Sequence, residues 1–377
     1  MGLFRLILAL TVVIGHSGSP FLFGHRFTGG MVAVQAFFII SGFYMALILN
    51  KKYVGKDSYK LFISNRFLRL FPAYWVVLLM TVGYLLWSGN HFFLLQYYES
   101  LDLYSFLFLT FTNLIILGQD LTVFLGLNIS TGTLYFVDNF HTTTPPVWKF
   151  LLIPQAWSLG VELMFYIIAP FLVRKSIYLI LLILIVSLML RVYIYLGMGW
   201  QRDPWTYRFF PTELALFMSG VISYKFYSLC RRYHLYDREI LTSKIFLFIM
   251  WILLLAATLF FEFISISGHS KFWLYYFLVV ITTPYVFILT KNSKIDSYLG
   301  DLSYPIYISH ILVISVVKPI LQEMQLLSYV ALIASICSIC ISVLLIKLII
   351  NPIERYRQQR IKLGGKIKLK CSDVRIS

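Results

Sequence analysis

Runs of about twenty apolar residues alternate along this chain with short polar segments. A helix rises 1.5 Å per residue, so about twenty residues cross the roughly 30 Å of bilayer hydrocarbon. Ten stretches fit that length: 3–23, 31–49, 71–88, 156–173, 177–197, 211–227, 245–264, 273–290, 304–321 and 328–350. A further apolar stretch, 103–118, is short and is punctuated by Thr112 and Asn113. The pattern predicts an all-α, polytopic membrane helix bundle of about ten transmembrane helices plus one interfacial or re-entrant segment. The first run lacks a small-residue cleavage site followed by a polar domain, so it reads as a retained helix rather than a signal peptide.

The polar segments orient the bundle. With the N-terminus inside, segments 50–70, 174–176, 228–244, 291–303 and 351–377 carry 22 Lys and Arg, while the opposite segments carry 5 (Arg26, Lys149, Arg202, Arg208 and Lys271). Positive charge is retained on the cytoplasmic side, so both termini are expected to be cytoplasmic. Counting 103–118 as a span would invert every later loop and put the basic tail outside. It is therefore read as non-spanning. The organisation expected is a transmembrane domain over 1–354 and a basic cytoplasmic tail over 355–377.

Composition adds exclusions. The chain is 59% hydrophobic and only 13% charged, where a soluble domain carries about 25% charged residues. This excludes a soluble enzyme, a disordered chain and a secreted disulfide scaffold. The net charge of +16 lies in short clusters between apolar runs. That is a topological signature rather than a nucleic-acid footprint. Cys337 and Cys340 form a C-x-x-C inside an apolar run with no other ligand nearby, so packing is expected and no metal.

Ionisable groups inside spans cost about 2.5–3.5 kcal/mol each on insertion scales, so each needs a reason. They are Arg5, His16, Glu162, Arg191, Glu213, Glu262, His310 and Lys318. His16 falls about 20 Å along the first helix, towards the outer half. Its imidazole can take and return a proton, or it can hydrogen-bond between helices. Glu162 can orient an imidazole or bind a sugar hydroxyl, or it can pair with Arg191. Arg66 and Arg69, three apart on one helix face, suit a multi-phosphate ligand or anchor the headgroups. Tyr304, Tyr307 and His310 form a polar stripe that lines a cavity or packs on a partner helix. Glu213 and Glu262 lie near outer ends, within reach of water.

Several strings together resemble the acyltransferase family 3 of integral membrane proteins. They are Val13-Ile14-Gly15-His16, Phe37-Phe38-Ile39-Ile40-Ser41-Gly42-Phe43, Asn65-Arg66-Phe67-Leu68-Arg69 with Pro72 and Tyr74, Trp157-Ser158-Leu159 with Glu162 and Phe165-Tyr166, and Leu302-Ser303-Tyr304 with Tyr307 and His310. The resemblance runs from about residue 3 to Asn351-Pro352-Ile353-Glu354-Arg355. Two positions depart from the family's pattern: Leu163 stands where a second acidic residue is usual, and Gln35 where an acidic residue is common.

The resemblance implies a membrane O-acyltransferase of the bacterial inner membrane. It would move an acetyl or other acyl group from cytoplasmic acyl-CoA, acetyl-CoA above all, to a hydroxyl of a cell-envelope glycan. An O-antigen or capsule repeat unit, or a lipid-linked glycan, is the kind of acceptor implied. His16 and Glu162 then become candidate catalytic residues, and Arg66 and Arg69 candidate donor-binding residues. Ser41, Tyr74, Trp157, Tyr304, Tyr307 and His310 become candidates for lining the tunnel. The competing reading is a transporter or flippase of an envelope glycan precursor, which shares the fold class, the buried charges and the basic inner face.

Overall fold

The computed structural model describes the chain apart from residues 20, 22–23, 56, 90–94, 202, 234–242, 267 and 362–377. Each of the ten apolar stretches contains a helix. They are α1 (Gly2–Ser17), α2 (Gly30–Lys51), α3 (Ser58–Ser88), α5 (Trp157–Leu172), α6 (Ile177–Val192), α7 (Phe210–Arg232), α8 (Lys244–Leu259), α9 (Ser270–Thr290), α10 (Lys294–Glu323) and α11 (Val330–Leu345). The short stretch forms α4 (Leu103–Ile115). Among the described residues, seven helical runs are long and apolar enough to cross a membrane: α2, α3, α5 extended back to Pro154, α6 continued to Gly197, α9, α10, and α11 as part of a run from Leu327 to Ile361. α1 and α8 have 16 residues each, and α7 carries Glu213 and Lys225.

Burial follows the apolar pattern. α2 is apolar on every side and is buried along almost its whole length, which makes it the centre of the bundle. It crosses α7 at Gly42 and Gly220. A Cβ on Gly42 would lie 2.0 Å from the Phe217 carbonyl oxygen, and one on Gly220 would lie 1.9 Å from that of Ile39. Only glycine permits this approach, as at close helix crossings in membranes. α6 is at the other extreme, burying only Ile180 and Ser187 and turning Leu182, Ile185, Val186 and Met189 outward. Such a surface suits lipid and not water.

Contacts between helix ends gather the basic segments at one end. The Asp296 carboxylate at the start of α10 accepts from the Met1 amine and from the Gly2 and Leu3 amides, capping α1 with an anion. Arg174, after α5, donates to the Leu49 and Tyr53 carbonyls at the end of α2. Arg360 donates to Asn65 and Ser64 on α3. The segment expected as a separate tail therefore begins as a helical extension of α11 packed on the bundle, while 362–377 lie outside the described residues.

At the opposite end, 95–156 form α4, several single turns and a two-stranded antiparallel hairpin, β1 (Leu125–Leu127) with β2 (Leu134–Phe136). α4 is 13 residues long, about 20 Å, short of a span. The polar residues that break its apolar run are structural: Asn113 bonds the Phe150 carbonyl and the Leu152 amide and receives Tyr74 on its own carbonyl. Nearby, Asp120 is buried with one carboxylate oxygen unpartnered, against Gly160 of α5. Burial pushes its carboxyl up to about 6.

Candidate active site

A cavity of about 550 Å³ opens among α1, α2, α3, α5 and α10. It runs from the basic end, at Lys51, Lys52 and Lys291, to a blind end at Ser158 and Tyr307. Six cationic side chains line it (Arg5, Lys51, Lys52, Arg66, Arg69 and Lys291) against three carboxylates (Glu162, Asp296 and Asp301). Asp296 is already used by the N-terminus of α1. The Arg5 and Arg69 side chains make no hydrogen bond or ion pair among the described residues, and the buried Nε of Arg66 has no partner. Guanidinium donors left open in a recess select an anion with several acceptor oxygens.

Within the cavity, Glu162 Oε1 accepts from Ser41 Oγ and from Tyr166 Oη, both at 2.5 Å. The close α2–α7 crossing at Gly42 holds Ser41 against it. Tyr304 Oη donates to the Leu70 carbonyl at 2.5 Å, tying α10 to α3. Tyr307 closes the blind end: its hydroxyl donates to the Gln155 carbonyl at 2.8 Å and lies 2.6 Å from Ser158 Oγ.

His310 lies one turn beyond Tyr307, fully buried, with its ring beside that of His16 at 5.0 Å. The hydrogen bonds fix both tautomers. His310 Nδ1 lies 2.7 Å from the Tyr307 carbonyl oxygen, which only accepts, so Nδ1 carries the proton and Nε2 is a lone pair. His16 Nδ1 lies 2.9 Å from the Val12 carbonyl oxygen, so it also carries its proton. That N–H is shared with His310 Nε2 at 3.3 Å. His16 Nε2 is left as an unprotonated base on an exposed ring.

The loop before α7 meets this end of the bundle. Arg208 lies over Trp157 at 4.5 Å, and Asp203 Oδ1 accepts from its Nε at 2.9 Å. Among the described residues, it is the charged group whose field acts on His16.

The sequence candidates thus divide. Ser41, Arg66, Arg69, Glu162, Tyr304 and Tyr307 share the cavity wall. His16 and His310 form a pair beyond its blind end. Glu162 is bonded to Ser41 and Tyr166 rather than to His16, so the imidazole is oriented by Val12 and His310 instead. Trp157 is buried under Arg208 outside the cavity, and Tyr74 is buried between Asn113 and Gln119. The alternative Glu162–Arg191 pair does not form. Arg191 pairs with Glu213 at 2.7 Å, and Gln35 joins that network through Glu213 and Tyr276. Glu213 is therefore fully buried and does not reach water, because Arg191 and Gln35 satisfy it inside the bundle. Arg5 was visible only as an in-span charge, and Tyr166 only as part of a string. Nothing local in the sequence pointed to either as a wall residue.

Comparison with known proteins gives the chemistry a context. Residues 1–349 match the family described as an acyltransferase domain. A Staphylococcus aureus (strain COL) protein named "Putative O-acetyltransferase" is 28% identical over 173 residues, 44% of this chain and 23% of that protein. The exopolysaccharide production protein ExoZ of Rhizobium meliloti is 29% identical over 144 residues, 38% of this chain and 34% of ExoZ. An uncharacterized protein of Aquifex aeolicus is 27% identical over 223 residues, 57% of this chain and 93% of its own length. The match thus spans about a quarter of the staphylococcal protein and a third of ExoZ. No solved structure matches the chain.

Proposed function

The chain belongs to the acyltransferase-domain family, and from that premise we propose that it is a multi-pass O-acyltransferase of the bacterial inner membrane. It moves an acetyl group from cytoplasmic acetyl-CoA to a hydroxyl of a cell-envelope polysaccharide, such as an O-antigen or capsule repeat unit. Ten crossings with both termini in the cytoplasm fit the ten helices on ten apolar stretches. They also fit the gathering of basic segments at one end.

One observation carries the reading. An arginine-lined cavity that opens at the basic end stops at Tyr307, and the His16–His310 pair stands directly behind that residue. Arg5, Arg66 and Arg69 hold the phosphates of the donor. The pantetheine arm runs up the cavity past Glu162 and brings the thioester to Tyr307. The acceptor hydroxyl comes to His16 from the opposite face. His16 Nε2 takes the hydroxyl proton as the oxygen attacks the thioester carbonyl, the C–S bond breaks, and the proton passes to the departing thiolate. Val12 and His310 stabilise the imidazolium through Nδ1–H. Glu162, fixed by Ser41 and Tyr166, offers its second oxygen to the amide groups of the arm.

Purified protein in liposomes, given acetyl-labelled acetyl-CoA and envelope glycan, tests this. Label on the glycan, or thioester hydrolysis without it, is expected. Passage of unmodified glycan with the thioester intact would instead make the protein a carrier.

A further inference from the structure

The helical extension of α11 adds a group to the donor side. Arg360 Nη1 and Nη2 donate to Asn65 Oδ1 at 3.2 Å and Ser64 Oγ at 2.9 Å, pinning the extension along the start of α3. Asn65 is held in turn by Tyr53 at 3.2 Å. This docking buries Arg357, leaving it 5% exposed beside Arg66, also 5% exposed. Arg66 and Arg69 both act electrostatically on Arg357. Glu354, on the same extension, is bonded to Arg357 and Gln358. The Nε atoms of both Arg66 and Arg357 are buried without a hydrogen-bond partner.

Two buried like charges with open donors are unfavourable unless an anion joins them. Each unpartnered buried donor carries a desolvation penalty, and among the described residues Glu354 accepts from Arg357 but from no second guanidinium. We propose that Arg66 and Arg357 form a subsite for a terminal phosphate monoester on the acyl donor, separate from the Arg5–Arg69 part of the wall. A monoester is dianionic near neutral pH and matches two guanidinium groups in charge and in acceptor number. Coenzyme A carries both a pyrophosphate and a phosphate monoester on its ribose. The pyrophosphate falls to Arg5 and Arg69, and the monoester to Arg66 and Arg357. This inference rests on the acyl-CoA reading above.

Acetyl-CoA and acetyl-dephospho-CoA, which lacks the monoester, test it as paired donors with the full chain. Wild type is expected to show a KM about tenfold or more higher for the dephospho donor. Arg357→Gln should raise KM for acetyl-CoA by about the same factor and leave KM for the dephospho donor within about twofold, with kcat little changed on either. Arg357→Lys keeps the charge but loses the fork, and should fall between them. Equal KM values for the two donors in wild type would overturn the subsite without recourse to any variant. So would an Arg357→Gln effect of equal size on both donors, which marks a purely structural role. If wild type uses neither thioester, the acyl-CoA reading itself fails.

Discussion

Replacing His310 with Phe keeps the volume beside Tyr307 but removes the lone pair that faces His16 Nδ1–H. In the ground state that bond is long, 3.3 Å, and is shared with the Val12 carbonyl at 2.9 Å. In the transition state His16 is an imidazolium and both acceptors face a charged donor. A hydrogen bond to a charged group contributes about 1.5–3 kcal/mol. At 1.36 kcal/mol per decade, its loss lowers kcat by about ten- to a hundredfold. The effect should stay below the 10²–10⁴-fold typical of losing the base itself, as in His16→Ala. The assay is steady-state acetyl transfer with acetyl-CoA and a fixed glycan acceptor, KM for the donor being measured alongside. Donor KM should not move, because His310 lies beyond the cavity wall. His310→Gln, which can present an amide oxygen to the same N–H, should recover part of the rate. Wild-type kcat in His310→Phe would refute the claim that this residue orients and stabilises His16.

Arg5→Ala and Arg69→Ala should each raise donor KM by about ten- to a hundredfold, because each removes a guanidinium with no hydrogen-bond or ion-pair partner among the described residues; unchanged donor binding by titration would make them packing residues. Asp120→Asn should stabilise the protein at pH 7–8. Its carboxyl sits near 6, against about 3.9 unfolded, so stability falls as pH rises from about 4 to 6 and ionised Asp120 costs about 3 kcal/mol above that. Unfolding temperatures of variant and wild type in detergent should therefore coincide below pH 4, separate as pH rises from 4 to 6, and keep a constant gap above pH 6. Gly42→Ala should lower the unfolding temperature and activity together, since its Cβ would meet the Phe217 carbonyl at 2.0 Å and force α2 from α7, at a cost of about 1–3 kcal/mol or more.

What the sequence disclosed follows from the range of each signal. Long apolar runs are local, so a helix was legible in each of the ten stretches, but charged residues hid the starts of the helices at Ser58 and Lys294, which lie well before the apolar runs at 71 and 304. Lys and Arg clusters are also local, and the ends they mark do come together. Pairings between helices are not local. His310 meets His16 from 294 positions away, and helical periodicity carries no information about which faces meet. Arg191 was therefore offered Glu162 as a partner, whereas the geometry gives it Glu213, only 22 positions away. Trp157 and Tyr74 sit in strings shared with the cavity residues, but on faces that point elsewhere. Arg357 lay in a segment read as tail because charge ended the apolar run, although the helix itself continues to Ile361.

The proposed reaction is acetylation of an envelope glycan with His16 Nε2 as the base. Glycan mass spectrometry tests it most directly, comparing cells that express wild type, cells that express His16→Ala at equal membrane abundance, and cells without the protein. Glycan heavier by the mass of an acetyl group is expected with wild type alone. Acetylated glycan in the His16→Ala cells, or none in any of the three, would contradict it.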